Sequence, residues 1–316
     1  MNYVAKRLIT VIPVLFILSI LVFGLIHLIP GGPAQAVLGQ EATPSALAAL
    51  RAQLGLNQPV PIQYTTWLWH ALHGNLGTSL VNGEPVTLLI MQRLPETLEL
   101  AIGTIVVAVL VSFPFGIMAA VYRGKWADTA ALFASTIGIA VPPFWLGLVL
   151  LILFTVKWHL FPSSGYVPIW DNVGQNLRVM LLPIVATGVR EAGVLMRMLR
   201  SSLLDILDAD FIRTARAKGL RGWAVIVGHA LQNALIPVIT TGGLEIAALL
   251  GGLVITEQMF SLPGFGTLLI QSIFSRDYTT VQGAALFVAV GVVLVNVVVD
   301  IFYGIADPRM RLGKGA

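Results

Sequence analysis

Long hydrophobic runs without a charged residue alternate with shorter polar connections along the whole chain. A helix needs about 20 apolar residues to cross the hydrocarbon core of a bilayer. Four runs meet this length clearly: Leu8–Ile29, Leu100–Tyr122, Thr129–Val156 and Tyr278–Val299. A fifth run follows Pro237 and reaches Thr256, with Glu245 inside it, and a sixth covers 179–200 but carries charges after Val189. The pattern predicts an all-α polytopic membrane protein with six transmembrane helices.

The first run begins after Lys6 and Arg7 and is followed by Ala34 and Ala36, a pattern that also suits a secretory signal peptide. The apolar part of a signal peptide has about 7–15 residues, which is shorter than the run that ends at Ile29. We therefore interpret this segment as a retained first transmembrane helix.

The composition supports a membrane protein. Hydrophobic residues make up 57% of the 316 and charged residues 11%, whereas soluble domains have about 45–50% and about 25%. The formal net charge of +4 is explained by Lys and Arg in cytoplasmic loops, and no nucleic-acid partner is expected. Because the chain has no cysteine, disulfides and thiolate chemistry are excluded.

The basic residues predict the orientation. With six spans and a cytoplasmic N-terminus, thirteen of the 19 Lys and Arg residues lie on the cytoplasmic side. Removal of the fourth span would place the basic cluster 197–221 and the C-terminal tail outside, against the positive-inside bias. We therefore predict that both termini are cytoplasmic.

Two connections are longer than a turn. The segment Pro30–Pro95 contains several turn signals and a helical pattern that Thr43 or Ser45 could cap, and it predicts a small external helical cap. The predicted division is 1–29 for the N-terminus and first transmembrane helix, 30–96 for the extracytoplasmic cap, and 97–316 for a five-helix core with a cytoplasmic loop over 201–236.

The cytoplasmic loop 201–236 is unusually charged for this chain. Its sequence predicts one or two short helices that end at Gly219, with Pro237 near the start of the fifth transmembrane helix. One interpretation is a basic loop that only fixes orientation. The length of the loop and its small residues Ala215 and Ala217 favour a docking helix for a cytoplasmic partner.

The loop sequence FIRTARAKGL followed by HALQNALIP resembles the cytoplasmic loop of binding-protein-dependent ABC importer permeases of the peptide/nickel branch. Arg213 and Gln232 stand where the broad family pattern has Glu and Pro, while the peptide-permease variant matches closely. Gly32 and Asn75 stand where Asp is expected. Further stretches agree along nearly the whole chain: PGGPA (30–34), LRAQLGLNQP (50–59), GNLGTSL (74–80), TEQMFSLPGFG (256–266) and DIFYGIADPRMR (300–311).

The resemblance implies a permease subunit of an importer for short peptides in the bacterial cytoplasmic (inner) membrane. It implies four kinds of partner: a second homologous permease, two cytoplasmic ABC ATPases, an extracytoplasmic substrate-binding protein and the lipid bilayer. It also assigns a helix that couples the permease to the ATPase, formed by Arg213, Thr214, Ala215, Arg216, Ala217, Lys218, Gly219 and Leu220.

No site for catalysis, a cofactor or a metal is expected in this chain. The phosphate-binding pattern G-x-x-x-x-G-K-[ST] is absent, so ATP and Mg²⁺ would be used by the partner ATPases. Glu245 and Arg190 are the candidates for the translocation path, because charges inside membrane spans are costly and often functional. A structural interhelical contact of Glu245 remains the alternative.

The sequence also allows other functions. A nickel, glutathione or other small-solute importer could use the same scaffold. An intramembrane enzyme would need a paired catalytic constellation, and a passive channel would need no docking helix.

Overall fold

A computed structural model describes residues 3–28, 32–39 and 42–306, and this part of the chain is helical without a β-strand. The first helices are α1 (Tyr3–His27), α2 (Gly32–Leu38), α3 (Pro44–Gln53), α4 (Val60–Leu72), α5 (Val86–Val121), α6 (Trp126–Ala140) and α7 (Pro143–Leu150). The remaining helices are α8 (Val173–Leu207), α9 (Asp210–Ala217), α10 (Gly222–Val225), α11 (Leu231–Gly252), α12 (Val254–Met259), α13 (Phe265–Phe274) and α14 (Tyr278–Ala306).

Five stretches of helix are long and apolar enough to cross a membrane: Ile9–His27, Val86–Val121, Val173–Leu207, Gly222–Leu249 and Tyr278–Val299. The helix pair α6 and α7 adds a sixth span if its two parts are counted as one. The predicted all-α polytopic architecture is confirmed.

The third predicted span consists of two helices with a sharp bend between them. α6 ends at Ala140, α7 starts at Pro143, and the two axes differ by 97°. Pro142 and Pro143 explain the break, because proline lacks the N–H that a helix interior needs and its ring restricts the preceding residue. Pro143 occupies the first turn of α7, where proline is tolerated.

The second span begins earlier than its apolar run. α5 starts at Val86, whereas Leu100 was predicted. Charged residues in the added part have partners: Arg93 Nη1 donates to the Pro263 carbonyl at 3.2 Å, and Glu99 accepts from Tyr166 Oη at 2.8 Å. The absence of charge therefore marked only the most apolar part of the helix.

The prediction that Pro237 lies near the start of the fifth span was wrong. Helical structure runs without interruption from Gly222 through a π-helical turn at Ile226–Ala230 into α11, and Pro237 lies inside α11. Membrane helices tolerate an internal proline when neighbouring groups satisfy the nearby backbone. Here Ser202 Oγ of α8 donates to the Ala234 carbonyl at 3.0 Å, one turn before the proline.

The described chain forms two compact units, and the boundaries between them fall within α5 and after Leu262 and Leu294. The first unit contains α1 to α4, the start of α5, α13 and the start of α14. Its core is formed by Val86, Leu89, Ile90, Phe265, Leu268 and Ala284. Thr43 Oγ1 accepts from Ala46 N at the start of α3, which confirms Thr43 as a helix cap.

The second unit is built around α8, which packs against α6, α7 and α11. α6 and α8 approach closely where Ser135 Oγ donates to the Gly193 carbonyl at 3.1 Å. A Cβ atom at Gly193 would lie only 2.8 Å from the Ser135 carbonyl oxygen. A glycine is therefore required at this crossing, as is common between membrane helices.

Candidate functional sites

α9 is an amphipathic helix that follows the end of α8 directly. Ile212 and Ala215 are buried, and they pack into a core of the second unit that also contains Leu199, Leu203 and Val225. These inward-facing side chains hold α9 against the body of its unit. Motion of α9 would therefore be passed to α8.

The opposite face of α9 is exposed and mixes charge with apolar surface. Arg213, Thr214, Arg216 and Ala217 are exposed. Large apolar side chains stand beside them, because Phe211 and Leu220 are exposed and Trp223 is 66% accessible. Exposed aromatic residues next to arginines are typical of protein–protein contact sites.

Gly219 ends this helical segment in the predicted way. Its φ is +80°, and its N–H donates to the Arg216 carbonyl at 3.0 Å. Glycine adopts this left-handed conformation with little strain. Lys218 and Arg216 at the same end have favourable interactions with the helix dipole.

A buried ion pair joins α6 to α8 near α9. Arg200 donates from Nε and Nη2 to the two carboxylate oxygens of Asp128, at 2.6 and 2.8 Å. Asp128 also accepts from Gly124 N at 2.9 Å. The side chains are 6% and 19% exposed for Asp128 and Arg200. Asp128 thus connects the α5–α6 turn to the part of α8 that precedes α9.

The two candidates for the translocation path lie together. Arg190 Nη1 of α8 is 2.7 Å from Glu191 Oε1 and 3.3 Å from Glu245 Oε2 of α11. Glu191 Oε2 is buried and has no hydrogen-bond partner in the described chain. The Arg190 guanidinium is therefore paired with the carboxylates of both Glu191 and Glu245. The Arg190 side chain remains 39% exposed.

The cluster of Arg190, Glu191 and Glu245 lies far from the end of α8 that leads into α9. Arg190 precedes the last residue of α8 by 17 positions, which corresponds to roughly 25 Å at 1.5 Å per residue. The structure thus brings Arg190 and Glu245 together and groups the eight predicted coupling residues around α9. Among these eight, Ala215 faces inward and anchors the helix.

Several residues of interest were not predicted from the sequence. Asp128 and Arg200 are 72 positions apart and show no local pattern that would pair them. Phe211 and Trp223 could have been noticed, because large apolar residues in a charged loop outside the spans are unusual. Glu191 directly follows Arg190 in the sequence but was not among the predicted path residues.

Comparison with known proteins identifies the class of this helical architecture. Residues 112–312 match the family described as binding-protein-dependent transport system inner membrane component. Residues 1–101 match the N-terminal region described for such membrane components. The chain belongs to this family of membrane transport components, and the resemblance to peptide/nickel permeases is confirmed.

Individual relatives cover the chain almost completely. A Brucella abortus (strain 2308) protein, provisionally named a peptide transport system permease, is 42% identical over 98% of both chains. The dipeptide transport system permease DppB of Escherichia coli (strain K12) is 38% identical over 99% of this chain and 100% of its own. The glutathione transport system permease GsiC of Salmonella choleraesuis (strain SC-B67) is 40% identical over 98% and 99%.

Solved structures show the same fold. The inward-facing MetNI methionine ABC transporter matches with a TM-score of 0.57 at 17% identity, over 69% of this chain and 96% of that one. An amino acid ABC transporter crystallised with histidines matches with a TM-score of 0.52 at 16% identity, over 69% and 94%.

Proposed function

We propose that this chain is a transmembrane permease subunit of an ATP-driven importer that carries short peptides across the bacterial cytoplasmic membrane by alternating access. Full-length relatives named for peptide and dipeptide transport, at 42% and 38% identity, support the solute class. The observation that carries the mechanism is α9, which is anchored inward by Ile212 and Ala215 and presents an exposed charged and aromatic face.

The complete importer contains a second homologous permease, two cytoplasmic ATPase subunits and an extracytoplasmic substrate-binding protein. The exposed face of α9 docks on one ATPase through the segment from Arg213 to Leu220. The ATPases bind ATP and Mg²⁺ and hydrolyse ATP, and this chain contributes no catalytic residue. Both of its termini lie in the cytoplasm.

Because α8 is one continuous helix, it can connect ATP hydrolysis by the ATPases to the translocation path. Closure of the two ATPases displaces α9, and the packed contacts of Ile212 and Ala215 transmit this displacement to α8. α8 carries Arg190, whose ion pair with Glu245 connects it to α11. The two ATPase states thus favour different arrangements of these helices, as in any two-state switch.

The Arg190–Glu245 pair is the proposed polar element of the translocation path. An ion pair in a membrane span is costly unless it is satisfied or functional. Arg190 is only partly covered, so its guanidinium is accessible to a polar solute. A peptide has carboxylate and carbonyl groups that accept hydrogen bonds from such a donor.

Replacing Glu245 by Ala is expected to lower peptide uptake about tenfold, because it leaves Arg190 with one carboxylate in a low-dielectric environment. Glu245→Gln keeps a hydrogen-bond acceptor and should reduce uptake only about two- to threefold. Uptake of a radiolabelled dipeptide is measured in cells with equal permease levels in the membrane. Glu84→Ala, at an exposed carboxylate, is the control. Full uptake in Glu245→Ala would remove this residue from the path.

The proposed orientation can be tested by labelling. Cysteines replacing the exposed Ser163 and Ser275 should react with an impermeant maleimide added to intact spheroplasts. A cysteine replacing Lys218 should react only after the membrane is opened. The native chain has no cysteine, so the background is zero. Labelling of position 218 in intact spheroplasts would contradict a cytoplasmic α9.

The solute class is tested by transport with the complete set of partner subunits. ATP-dependent accumulation of a dipeptide that requires this chain would support the proposal. The relative named for glutathione transport makes glutathione the second candidate. Accumulation of glutathione but not of dipeptides would replace the first proposal by the second.

A further inference from the structure

A cavity of about 370 Å³ lies within the first unit and plays no part in the proposed mechanism. Its walls come from α1, Pro33, the segment 53–58, α4, the loop 74–80 and the start of α14. Phe23 and Trp67 form an aromatic side, and Tyr278 and Gln282 stand at α14. Ligand sites in proteins commonly have volumes of about 300–1,000 Å³, so the cavity is large enough for a small ligand.

The lining combines apolar side chains with polar ones, including the histidines His27 and His70. The described residues around the cavity include no Asp, Glu, Lys or Arg. They do include five side-chain amides, those of Gln53, Gln58, Gln63, Asn75 and Gln282. An amide both donates and accepts hydrogen bonds. The cavity therefore suits a neutral ligand that offers donors and acceptors together.

Gln282 is the most informative of these residues. It is 7% exposed and lines the cavity, and its side chain makes no hydrogen bond within the described part of the chain. The Gln282 amide atoms are not among the fully buried unpaired atoms of the described chain, so they are open to the cavity. Gln63, in contrast, is satisfied, because its Nε2 donates to the Gln58 carbonyl at 2.7 Å and its Oε1 lies 3.2 Å from His27 Nε2. Gln282 is therefore available to a ligand.

The wall beside Gln282 is fixed by a buried carboxylate. Asp277 accepts from Ser79 Oγ, from Leu80 N at 3.0 Å and from Thr280 Oγ1 at 2.7 Å. These bonds hold the loop 74–80 against the start of α14. Gly77 lies so close to α14 that a Cβ atom would be 2.6 Å from Thr279 Cγ2. The cavity is thus shaped before any ligand arrives.

We propose that this cavity binds an uncharged peptide segment, with the Gln282 amide paired to one peptide group. Its NH₂ group donates to a peptide carbonyl while its oxygen accepts from a peptide N–H. Aliphatic side chains of the ligand pack on Trp67 and Phe23. A free dipeptide is disfavoured, because its ammonium and carboxylate ends find no Asp, Glu, Lys or Arg among the lining residues and would lose hydration. The inference rests on the cavity alone and does not require the proposed importer function.

The test uses the purified full-length permease in lipid nanodiscs, without ATPases or binding protein. Isothermal titration calorimetry compares N-acetyl-Ala-Ala-amide, free Ala-Ala and the uncharged disaccharide sucrose. We expect saturable binding of the blocked dipeptide and at least about tenfold weaker binding of the other two. Gln282→Leu should weaken binding of the blocked dipeptide about tenfold. Gln92→Leu, the same change at an exposed position outside the cavity, should leave binding unchanged.

A second variant keeps the test decisive if Gln282→Leu does not fold. Thr66 is exposed at the cavity wall, so Thr66→Phe should fill the cavity without disturbing the core, and it should abolish binding. The proposal is overturned if the blocked dipeptide does not bind, if Gln282→Leu or Thr66→Phe binds it normally, or if free Ala-Ala or sucrose binds as tightly. Because no uptake is measured, each of these results leaves the importer function untouched, and a failure of dipeptide uptake leaves this site untouched.

Discussion

Asp128→Ala is expected to reduce the free energy of unfolding by about 3–5 kcal/mol, which is typical when one partner of a buried ion pair is removed. The change leaves the Arg200 guanidinium, only 19% exposed, without its bidentate partner. It also removes the acceptor of the Gly124 N–H. Thermal unfolding of the detergent-solubilised permease, followed by circular dichroism, should show a clearly lower midpoint.

A double variant separates the ion pair from a general effect of the site. Asp128→Ala combined with Arg200→Met removes both charges, and we expect it to be more stable than Asp128→Ala alone. Arg123→Ala is the control, because it breaks an exposed pair with Asp208 at 3.4 Å and should cost less than about 1 kcal/mol. Equal destabilisation by Asp128→Ala and Arg123→Ala would show that the buried pair contributes little.

Ala217→Glu is expected to lower peptide uptake at least about tenfold while the permease folds and inserts normally. Ala217 is exposed on the outer face of α9, so a longer side chain does not disturb the core. On the proposed ATPase contact it introduces bulk and a negative charge into a tightly packed surface, where such changes commonly cost more than 2 kcal/mol. We measure uptake and the amount of ATPase that co-purifies with the permease.

Two matched variants show whether the effect of Ala217→Glu on uptake comes from its position on the outer face of α9. Ala48→Glu makes the same change on the exposed surface of α3 and should alter neither uptake nor ATPase association. Ala215→Glu places the charge in the core under α9 and should reduce the amount of folded permease. Normal uptake and normal ATPase association in Ala217→Glu would show that α9 only fixes orientation.

Hydropathy predicted where most spans lie but not how each helix ends. The apolar run of the second span began at Leu100, while the helix itself starts at Val86 because charged residues such as Arg93 and Glu99 find polar partners. A run without charge also conceals a bend, since Pro142 and Pro143 are themselves uncharged. The absence of charged residues shows which segments are favourable in lipid, whereas the continuity of a helix depends on its backbone hydrogen bonds.

Local signals predicted local features well. Thr43 or Ser45 was expected to cap α3 and Gly219 to end the segment that contains α9; Thr43 is the cap, and Gly219 ends the segment. Each depends on a few neighbouring residues. The ion pairs of Arg200 with Asp128 and of Arg190 with Glu245 join residues that are 72 and 55 positions apart in the sequence. Such contacts depend on how the helices pack, and one sequence contains no separate signal for that packing.

The length of α8 has a mechanical consequence. Its 35 residues extend for roughly 50 Å, well beyond a hydrocarbon core of about 30 Å. The tight crossing at Gly193 lies 14 residues before Leu207 and 20 residues after Val173, so it divides α8 into arms of roughly 20 and 30 Å. If α8 turns rigidly about this point, a shift of about 3 Å at the α9 end moves the other end by about 4–5 Å in the opposite direction. In the proposed importer, a small displacement at the ATPase side would then produce a larger opening at the opposite face of the membrane.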